Sequence, residues 1–440
     1  MKVKIKAERV WLMRLSALII TALMFVSCRT DHMPLEPELT LSVADVSCTE
    51  VWLKAEGIGS HEFILERDGS EIEDYSVISG NIIYDDSLQP NTTYSYRLTR
   101  LSGGEKGREV TATTLDTTSH DISWEVYTFG DYSSVLRDVS VVDNQIWAVG
   151  QIYFNDSTGQ PDPTAYNVAY WDAVKWEIGR IFFLTFCNQT HVGAYPAKSI
   201  VTLDENDIWV SSGSTITRIL NNEQIQIGCI PVSVNKFWGV ENNNIYAVGA
   251  LGTMARFDGQ EWIKIESNTE TDLLDIYGDD DNIFISGWDD FKGSILFNYT
   301  DGRLKTIIDD YSQTGNNPLQ VYGGIRSVWV KRKHLYILTW NTLFLAGTDA
   351  KSKAKVMWTG GQSEWGFNRV RGTEVNDILT VGDYGHLWHY NGSTWNIYEE
   401  LFNPNDIYRS ISVKDDLIVV VGERNLDGYN RYGLVLIGRR

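Results

Sequence analysis

Cysteine is scarce in this chain, with four residues among 440: Cys28, Cys48, Cys187 and Cys229. They are scattered and include no CxxC pair, so the sequence indicates neither a zinc site nor a disulfide framework. Cys187 and Cys229 would pair only if the fold brought them together. We expect instead two buried thiols that act as small apolar side chains.

The common motifs of catalysis are also missing. The sequence has no glycine-rich phosphate loop, no HExxH zinc motif, no nucleophile elbow and no Cys/His metal spacing. His386 and His389 lie three apart on a predicted strand, which places them on opposite faces and argues against shared metal ligation. We therefore predict no catalytic residue, no metal and no cofactor. Paired carboxylates for glycoside hydrolysis would come from separate parts of the chain, so that chemistry stays open.

Positive charge is in deficit. The chain has 38 Lys and Arg against 58 Asp and Glu, a formal net charge of -20. Such a chain repels polyanions, which makes nucleic acid an improbable partner. With 43% hydrophobic and 22% charged residues, the composition is that of a globular protein.

The longest apolar run, Leu15–Val26, follows several basic residues and is too short to span a bilayer comfortably. It ends at Ser27 and Cys28, and the stretch Phe25–Cys28 resembles the lipobox of bacterial lipoproteins, with Phe25 in place of the usual Leu. The resemblance implies that residues 1–28 are a signal peptide, that Cys28 carries lipid, and that residues 29–37 are a tether. An ordinary cleaved secretory signal is the alternative.

A strand–turn–strand pattern recurs at intervals of roughly 40 residues from residue 135 onward. An apolar strand leads into a short turn, usually rich in Asp and Asn, and a second apolar strand then usually closes on Gly. The copies are Val139–Gly150, Ile200–Val210, Phe237–Gly249, Ile276–Gly287, Val328–Leu338, Val370–Gly382 and Ile411–Gly422. This repeat predicts an all-β propeller over residues 121–440, with seven blades and six or eight as the alternatives.

The last copy lacks an outer strand, because the chain ends soon after Leu434–Ile437. The segment Trp124–Tyr127 matches the outer strand Trp395–Tyr398 of the preceding copy. We predict that Trp124–Tyr127 pairs beside Leu434–Ile437 and closes the ring.

Residues 38–116 show alternating apolar strands separated by turn residues and form a separate β domain. The segment Leu88–Tyr96 resembles the fibronectin type III signature, in which the hydroxyl of a Tyr, here Tyr94, fixes the corner between two strands. The resemblance implies a β-sandwich that acts as a spacer between the lipid surface and the propeller. Residues 116–120 are the predicted linker.

Long connections fall on one predicted face of the propeller, at 151–164, 185–196, 289–293, 310–323 and 423–431. Loops on a rigid β scaffold commonly carry binding residues, so we expect a binding face there. Unselective tolerance of insertions is the alternative.

Inner strands begin on that face, and their first residues would ring the mouth of the central channel. Their cations suggest contacts for carboxylate or sulfate groups, although polar residues that pair with nearby acids would also line a wet channel. The predicted contacts at the mouth are Arg137, Lys236, Arg326, Arg369 and Arg409, in a ring that also holds Asp138, Lys198 and Asp275. The predicted aromatic contacts in the loops are Tyr153, Tyr166, Trp288, Phe291 and Tyr429.

Three inner-strand aromatic residues, Trp238, Tyr277 and Trp329, occupy matching positions in consecutive repeats. Both faces of a blade are buried against its neighbours, so we predict core packing between blades rather than a sugar platform.

The whole chain resembles exported bacterial lipoproteins that join a fibronectin type III module to a seven-bladed propeller. The repeat is also similar to the propellers of the photosystem assembly factor and of two-component regulators. The resemblance implies an outer-membrane lipoprotein on the cell surface or the periplasmic side, held through its lipid alone. We expect a non-catalytic protein that binds a glycan or an envelope protein. A glycan hydrolase or lyase and a structural partner in an envelope complex are the alternatives, and the sequence does not indicate an oligomeric state.

Overall fold

The computed structural model describes residues 38–58, 62–72, 76–78, 81–101, 104–279, 282–310, 315–359, 366–426 and 430–440. The predicted signal peptide, Cys28, the tether and Tyr429 lie outside the described residues. Among the described residues, no helix is long and apolar enough to cross a bilayer.

The N-terminal domain consists of two four-stranded sheets, with strand orders β1-β2-β6-β5 and β4-β3-β7-β8. Apolar side chains from both sheets, including Leu53, Leu65 and Leu98, form one buried core, as in a β-sandwich. The strands are β1 Thr40–Val46, β2 Val51–Glu56, β3 Phe63–Arg67, β4 Ser70–Glu71, β5 Ser76–Ile78, β6 Ile82–Asp85, β7 Thr93–Arg100 and β8 Val110–Thr113.

The corner before β7 has the contact that the sequence predicts. The hydroxyl of Tyr94 accepts a hydrogen bond from the backbone N–H of Gln89 at 2.9 Å. Tyr96 is buried, and its hydroxyl donates to the Asp85 carboxylate at 2.7 Å. These contacts fix the corner, while membership of the fibronectin type III family stays a prediction.

The described residues from 123 onward form seven four-stranded antiparallel sheets, the blades, each with inner, second, third and outer strands. The closing strand is β9 Ser123–Phe129, and the first blade is β10 Tyr132–Val142, β11 Gln145–Tyr153, β12 Tyr166–Trp171 and β13 Trp176–Gly179. The second blade is β16 Ser199–Asp204, β17 Asp207–Ser212, β18 Thr215–Leu220 and β19 Glu223–Cys229. The third blade is β20 Val234–Glu241, β21 Asn244–Gly249, β22 Met254–Phe257 and β23 Trp262–Ile265. A short hairpin of β14 Phe183–Leu184 and β15 Val192–Gly193 lies between the first two.

The remaining blades follow the same plan, and 3-10 turns at Ala250–Gly252 and Glu399–Leu401 lie in connections. They are β24 Leu273–Gly278, β25 Ile283–Asp289, β26 Gly293–Thr300 and β27 Arg303–Asp309; β28 Ile325–Lys331, β29 His334–Thr339, β30 Thr342–Gly347 and β31 Lys355–Thr359; β32 Phe367–Glu374, β33 Asp377–Gly382, β34 Leu387–Tyr390 and β35 Trp395–Ile397; and β36 Asp406–Lys414, β37 Leu417–Asn425 and β38 Arg431–Arg439.

The ring closes as the sequence predicts. Strand β9 is the outer strand of the seventh blade and pairs antiparallel with β38, with Tyr127 opposite Val435 and Trp124 opposite Gly438. The predicted blade number of seven is therefore confirmed. Closure gives the last blade its fourth strand and removes an unpaired sheet edge.

The two faces of the propeller differ in their connections. In a four-stranded antiparallel blade, the turns after the inner and third strands lie on one face, and the other connections lie on the opposite face. We call the first the plain face and the second the loop face. All five long connections belong to the loop face, as predicted. At the predicted connection 423–431, the pairing of β37 with β38 continues as far as Asn425 opposite Arg431.

The expectation of two free thiols is wrong. Cys187 and Cys229 form a disulfide with a Cα–Cα distance of 5.4 Å. The insertion after β14 returns to the end of β19, which brings together two cysteines that are 42 residues apart. Strand positions alone did not show this contact.

The sandwich packs against the plain face of the fifth and sixth blades. Asp45 accepts a hydrogen bond from the backbone N–H of Lys333 at 3.0 Å, and Glu50 accepts one from Lys355 at 3.3 Å. The linker is bound as well, because Asp116 O accepts from Asn376 Nδ2 at 2.8 Å and Thr118 donates to Asn376 O at 2.6 Å. The two domains are therefore parts of one compact unit over residues 38–440.

The three matching inner-strand aromatics belong to the core between blades. Trp238 and Trp329 are buried, and Tyr277 lies between them with its ring centroid 6.4 Å from each. The prediction of inter-blade packing is confirmed, since these rings have neighbours on both sides.

Candidate functional site

The inner strands share an irregularity that aims adjacent side chains in different directions. In six of the seven inner strands the pairing register shifts by one residue near the loop face. Such a bulge leaves one residue unpaired and re-aims its neighbour. The unpaired residues include Arg137, Arg326 and Arg409, and the residues after the bulge include Lys236 and Arg369.

The residues after the bulges meet inside the channel. Asp138 from the first blade is fully enclosed and accepts bonds from Lys236 Nζ at 2.5 Å, Ser199 Oγ at 2.7 Å and Ser410 Oγ at 2.8 Å. Burial alone would raise the pKa of Asp138, but Lys236 and Arg369 outweigh it and lower this pKa below its usual value. Asp138 is therefore a charged structural centre.

Asp275 from the fourth blade forms the second centre. It accepts hydrogen bonds from Arg371 at 2.7 and 3.0 Å and from Ser327 Oγ at 2.5 Å, and Arg369 approaches it to 2.5 Å. Burial opposes its charge, yet the two guanidinium groups hold its pKa well below the usual range. We call the two carboxylates and their six partners the channel ion network. Its eight residues come from all seven blades: Asp138, Ser199, Lys236, Asp275, Ser327, Arg369, Arg371 and Ser410.

This placement removes two predicted contacts from the ligand surface. Lys236 is 8% exposed and Arg369 is largely buried, and both pair with carboxylates inside the channel rather than facing out at its mouth. Burial of a charge is costly unless it is paired, and here each cation has its partner. We therefore regard Lys236 and Arg369 as structural ions.

A group of cations does lie at the channel mouth on the loop face. We call these cations and the carboxylate that pairs with two of them the mouth cluster: Arg137, Lys198, Arg409, Arg431 and Glu423. Arg409 and Arg431 both pair with the buried carboxylate of Glu423, the latter at 3.2 Å. Arg137 donates to Gln151 Oε1 at 3.3 Å. Burial is the main cause that lowers the pKa of Arg137 and of Lys198. A neighbouring like charge lowers each pKa further, from Arg409 on Arg137 and from Arg137 on Lys198.

Arg326 is not part of that cluster and packs against two tryptophans. Its guanidinium carbon is 4.3 Å from the ring centroid of Trp288 and 4.8 Å from that of Trp340. We call these three residues the indole–arginine stack. Burial lowers the pKa of Arg326, against the influence of Asp383 and then Asp290. Trp340, which the sequence analysis missed, is 37% exposed.

The predicted aromatic contacts divide into structural and exposed residues. Tyr153 stacks on Tyr132 at 5.5 Å, and Tyr166 packs under Arg180 at 4.1 Å, so both are occupied by the protein itself. Phe291, in the β25–β26 connection, is 90% exposed and free to contact a ligand.

Further exposed apolar residues of the loop face were missed by the sequence analysis. Most of the large apolar side chains that the described residues expose lie in connections of this face. They are Phe291, which was predicted, and Phe182, Phe186, Val192, Tyr195, Leu251, Tyr322, Trp340, Tyr384, Phe402 and Leu426, which were not. The signal was available in the sequence, because these residues interrupt polar connections instead of alternating within strands.

Within the described ranges, no group of three or more His, Cys, Asp and Glu side chains is arranged to hold a metal ion. His386 and His389 do not share a site. His386 lies beside Phe402 near the loop face, whereas His389 bonds to Asp377 at 3.0 Å and to His120 of the linker at 2.9 Å.

No protein-family model matches the chain, and no curated protein matches it. Solved structures are similar in fold. The structure titled YCF48 bound to D1 peptide has a TM-score of 0.54 and 14% identity, and the match covers 74% of this chain and 99% of that one. YCF48 from Cyanidioschyzon merolae has a TM-score of 0.51 and 12% identity, over 72% and 98% of the two chains. At these identities the likeness establishes the fold alone, and that fold is a β-propeller.

Proposed function

We propose that this chain is a non-catalytic binding protein whose loop face holds a segment of a protein partner. The observation that carries the proposal is the concentration of exposed apolar side chains in the connections of that face. Many exposed apolar side chains on one face of a protein commonly mark an interaction site. YCF48, a propeller of similar fold, has been solved with a D1 peptide bound, which is compatible with a protein ligand here.

The chemistry of these side chains favours protein over glycan. They include Phe186, Leu251, Phe291 and Leu426, which are apolar over their whole surface. Sugar rings stack on flat aromatic faces and also need polar partners, whereas a protein interface is anchored by aromatic and aliphatic side chains together. The set also extends across the connections of most blades, which suits an extended surface better than a single sugar.

The charges of the channel do not favour a hydrolase. A glycoside hydrolase needs one carboxyl group that keeps its proton near neutral pH, and this requires a raised pKa. The carboxylates of the channel ion network, Asp138 and Asp275, have lowered pKa values and are enclosed by their cationic partners. Binding without catalysis therefore has better support at the channel.

Selection of a random peptide library on the purified full chain tests the proposal. We expect enriched peptides that lose affinity by about tenfold or more when Phe291 or Phe186 is changed to Ser, because a buried aromatic anchor often contributes more than 1–2 kcal/mol. Val174→Ser is the matched control, since Val174 is 80% exposed but lies in a turn of the plain face. Affinities are measured by calorimetry. No enrichment, or binding that is equally insensitive to all three changes, would refute a protein-binding loop face.

We also propose that the chain is exported and held on a membrane by lipid on Cys28. The support is the sequence alone, namely the apolar run Leu15–Val26 directly before Ser27 and Cys28. In a bacterial host, labelling with an alkyne fatty acid should be lost in Cys28→Ser and kept in Cys48→Ser. Label that persists in Cys28→Ser would exclude this attachment site.

A further inference from the structure

Arg326 has polar atoms that the protein leaves without a partner. Its Nε is buried and has no hydrogen-bond partner, and among the residues that the structure describes no carboxylate forms an ion pair with it. Asp383 and Asp290 are near enough to favour its charged form, but the Asp383 carboxylate accepts instead from Asn368 Nδ2 at 2.9 Å. A partly buried guanidinium without a bonded anion is costly for a folded protein.

Two indoles pack against the guanidinium of Arg326. Its central carbon is 4.3 Å from the ring centroid of Trp288 and 4.8 Å from that of Trp340, distances at which each ring attracts the cation. The five N–H donors of an arginine point outward in the plane of the group. A ligand that approaches Arg326 from the loop face can therefore accept hydrogen bonds in that plane, and it can also contact the exposed part of Trp340.

The backbone around the stack makes room for both indoles. A Cβ on Gly324 would lie 2.7 Å from the indole of Trp288, and a Cβ on Gly366 would lie 2.8 Å from Trp340. Real Cβ atoms do not approach so closely, so only glycine fits at these two positions with the rings as they are. The stack is therefore a built feature that joins the fourth and fifth blades, with a glycine next to each indole.

From this geometry we infer that the indole–arginine stack binds a carboxylate group of the protein partner, from an Asp or Glu side chain or from a chain terminus. A planar carboxylate matches the edge of a guanidinium with two parallel hydrogen bonds. A phosphate dianion fits less well, because Asp383 and Asp290 lie close by and would repel its second charge. The inference rests on the proposed function and adds the chemistry that the loop face recognises.

The test uses the same peptide library with four forms of the full chain: wild type, Arg326→Gln, Arg326→Lys and Arg303→Gln. Arg303 is an exposed arginine of β27 beside a plain-face turn, so Arg303→Gln makes the same charge change away from the loop face. We expect the wild type to enrich peptides that contain an acidic residue or require a free C-terminal carboxylate. Each selected peptide is also made with its acid changed to the amide, and with its C-terminus amidated.

The expected result is a loss of about tenfold or more in affinity for acidic peptides in Arg326→Gln, a smaller loss in Arg326→Lys, and none in Arg303→Gln. The amide form of each peptide should bind wild type and Arg326→Gln equally. Thermal unfolding of each variant shows whether it is folded. If Arg326→Gln does not fold, Arg326→Lys tests the proposal instead, because it keeps a cation next to the indoles.

Three outcomes would overturn the inference. Peptides that depend on Phe291 but not on their acid would remove the carboxylate site and leave the proposed function standing. No peptide enrichment at all would remove both. Binding of uronate or sulfated glycans that depends on Arg326, without peptide binding, would assign the stack to glycans and also reject a protein partner.

Discussion

At the scale of single residues, one position along an inner strand decides between structure and surface. Arg326 occupies the unpaired position of its bulge and reaches the loop face, whereas Arg369 occupies the position after the bulge and is enclosed in the channel. Successive residues of a strand point to opposite sides, and a bulge re-aims that alternation. Arg326 and Arg369, which differ by one position within their strands, therefore have unrelated roles in neighbouring blades.

The charge of Asp275 should be important for stability. Asp275→Asn would leave Arg369 and Arg371 buried without their common counter-charge, and removing one partner of a buried ion pair typically costs about 3–5 kcal/mol. Urea unfolding followed by fluorescence measures the change. The matched control is Asp301→Asn on an exposed turn, where a change within about 0.5 kcal/mol is expected. Equal stability of the two variants would contradict a structural role for the channel ion network.

The sequence predicted which residues begin the inner strands but not how each would be used. Arg137 and Arg409 do lie at the channel mouth, but Lys236 pairs with Asp138, which is 98 residues away in the chain. Such partners depend on the closed ring and leave no local pattern. Trp340 was not predicted as a contact, because a single aromatic residue in a short turn has no sequence pattern that distinguishes it from other turn residues.

At the scale of elements, the contact between the sandwich and β29 depends on a buried histidine. His334 is 0% exposed and lies between two carboxylates of the sandwich, with a ring nitrogen 3.4 Å from Asp45 and another 3.4 Å from Glu50. Burial would lower the pKa of His334, but the two carboxylates raise it to about 9. The pKa of Glu50 falls to about 2, because His334 outweighs the effect of burial.

These shifts predict how the docking depends on pH. A histidine whose pKa is raised by folding stabilises the folded state fully below its unfolded value of about 6.5, and this contribution is lost as the pH rises through 9. The contribution of Glu50 is lost only as the pH falls through 2. When the pH rises from 6.5 to 9.5, the free energy of unfolding of the wild type should fall by about 2–3 kcal/mol, as measured by thermal unfolding.

His334→Gln should remove most of that pH dependence, and it should lower stability at pH 6.5. The matched control is His191→Gln, on an exposed segment of the loop face, which should keep the pH profile of the wild type. A His334→Gln profile that follows the wild type across this range would show that His334 is not the titrating group.

The sequence predicted the sandwich strands and the corner at Tyr94 from local patterns. It did not predict that the sandwich lies on the plain face, because Asp45 and Glu50 are ordinary acids until their distance from His334 is known. The same limit explains the disulfide, since the spacing of Cys187 and Cys229 says nothing about the insertion that brings them together.

At the scale of the whole molecule, the closing strand joins the two ends of the ring. Tyr127 and Phe129 pack into the core between the first and seventh blades, and Trp124 packs beside Tyr398 of the sixth at 5.4 Å. The seam therefore contributes side-chain packing as well as backbone pairing. It was predictable because the missing outer strand and its match at the start of the repeats are both written in the sequence.

Comparing two shortened chains tests the seam. A chain of residues 117–440 keeps β9 and should fold cooperatively, whereas a chain of residues 131–440 lacks it and exposes the edge of β38. We expect the shorter chain to unfold at lower temperature by about 5 °C or more and to self-associate through that edge. Calorimetry and light scattering measure these effects. Two monomeric chains with the same unfolding temperature would show that the seam is dispensable.

The channel ion network also bears on how so repetitive a chain reaches a single arrangement. Units of similar sequence can exchange places during folding, and a ring of interchangeable wedges would have several nearly equivalent orders. Here the wedges deliver acids, bases and hydroxyls to the axis, and in the observed order both carboxylates are paired with cations. An order of blades that separated a carboxylate from its cation would bury an uncompensated charge at the axis. The network therefore favours the observed order, whereas the loop face can vary in sequence without that cost.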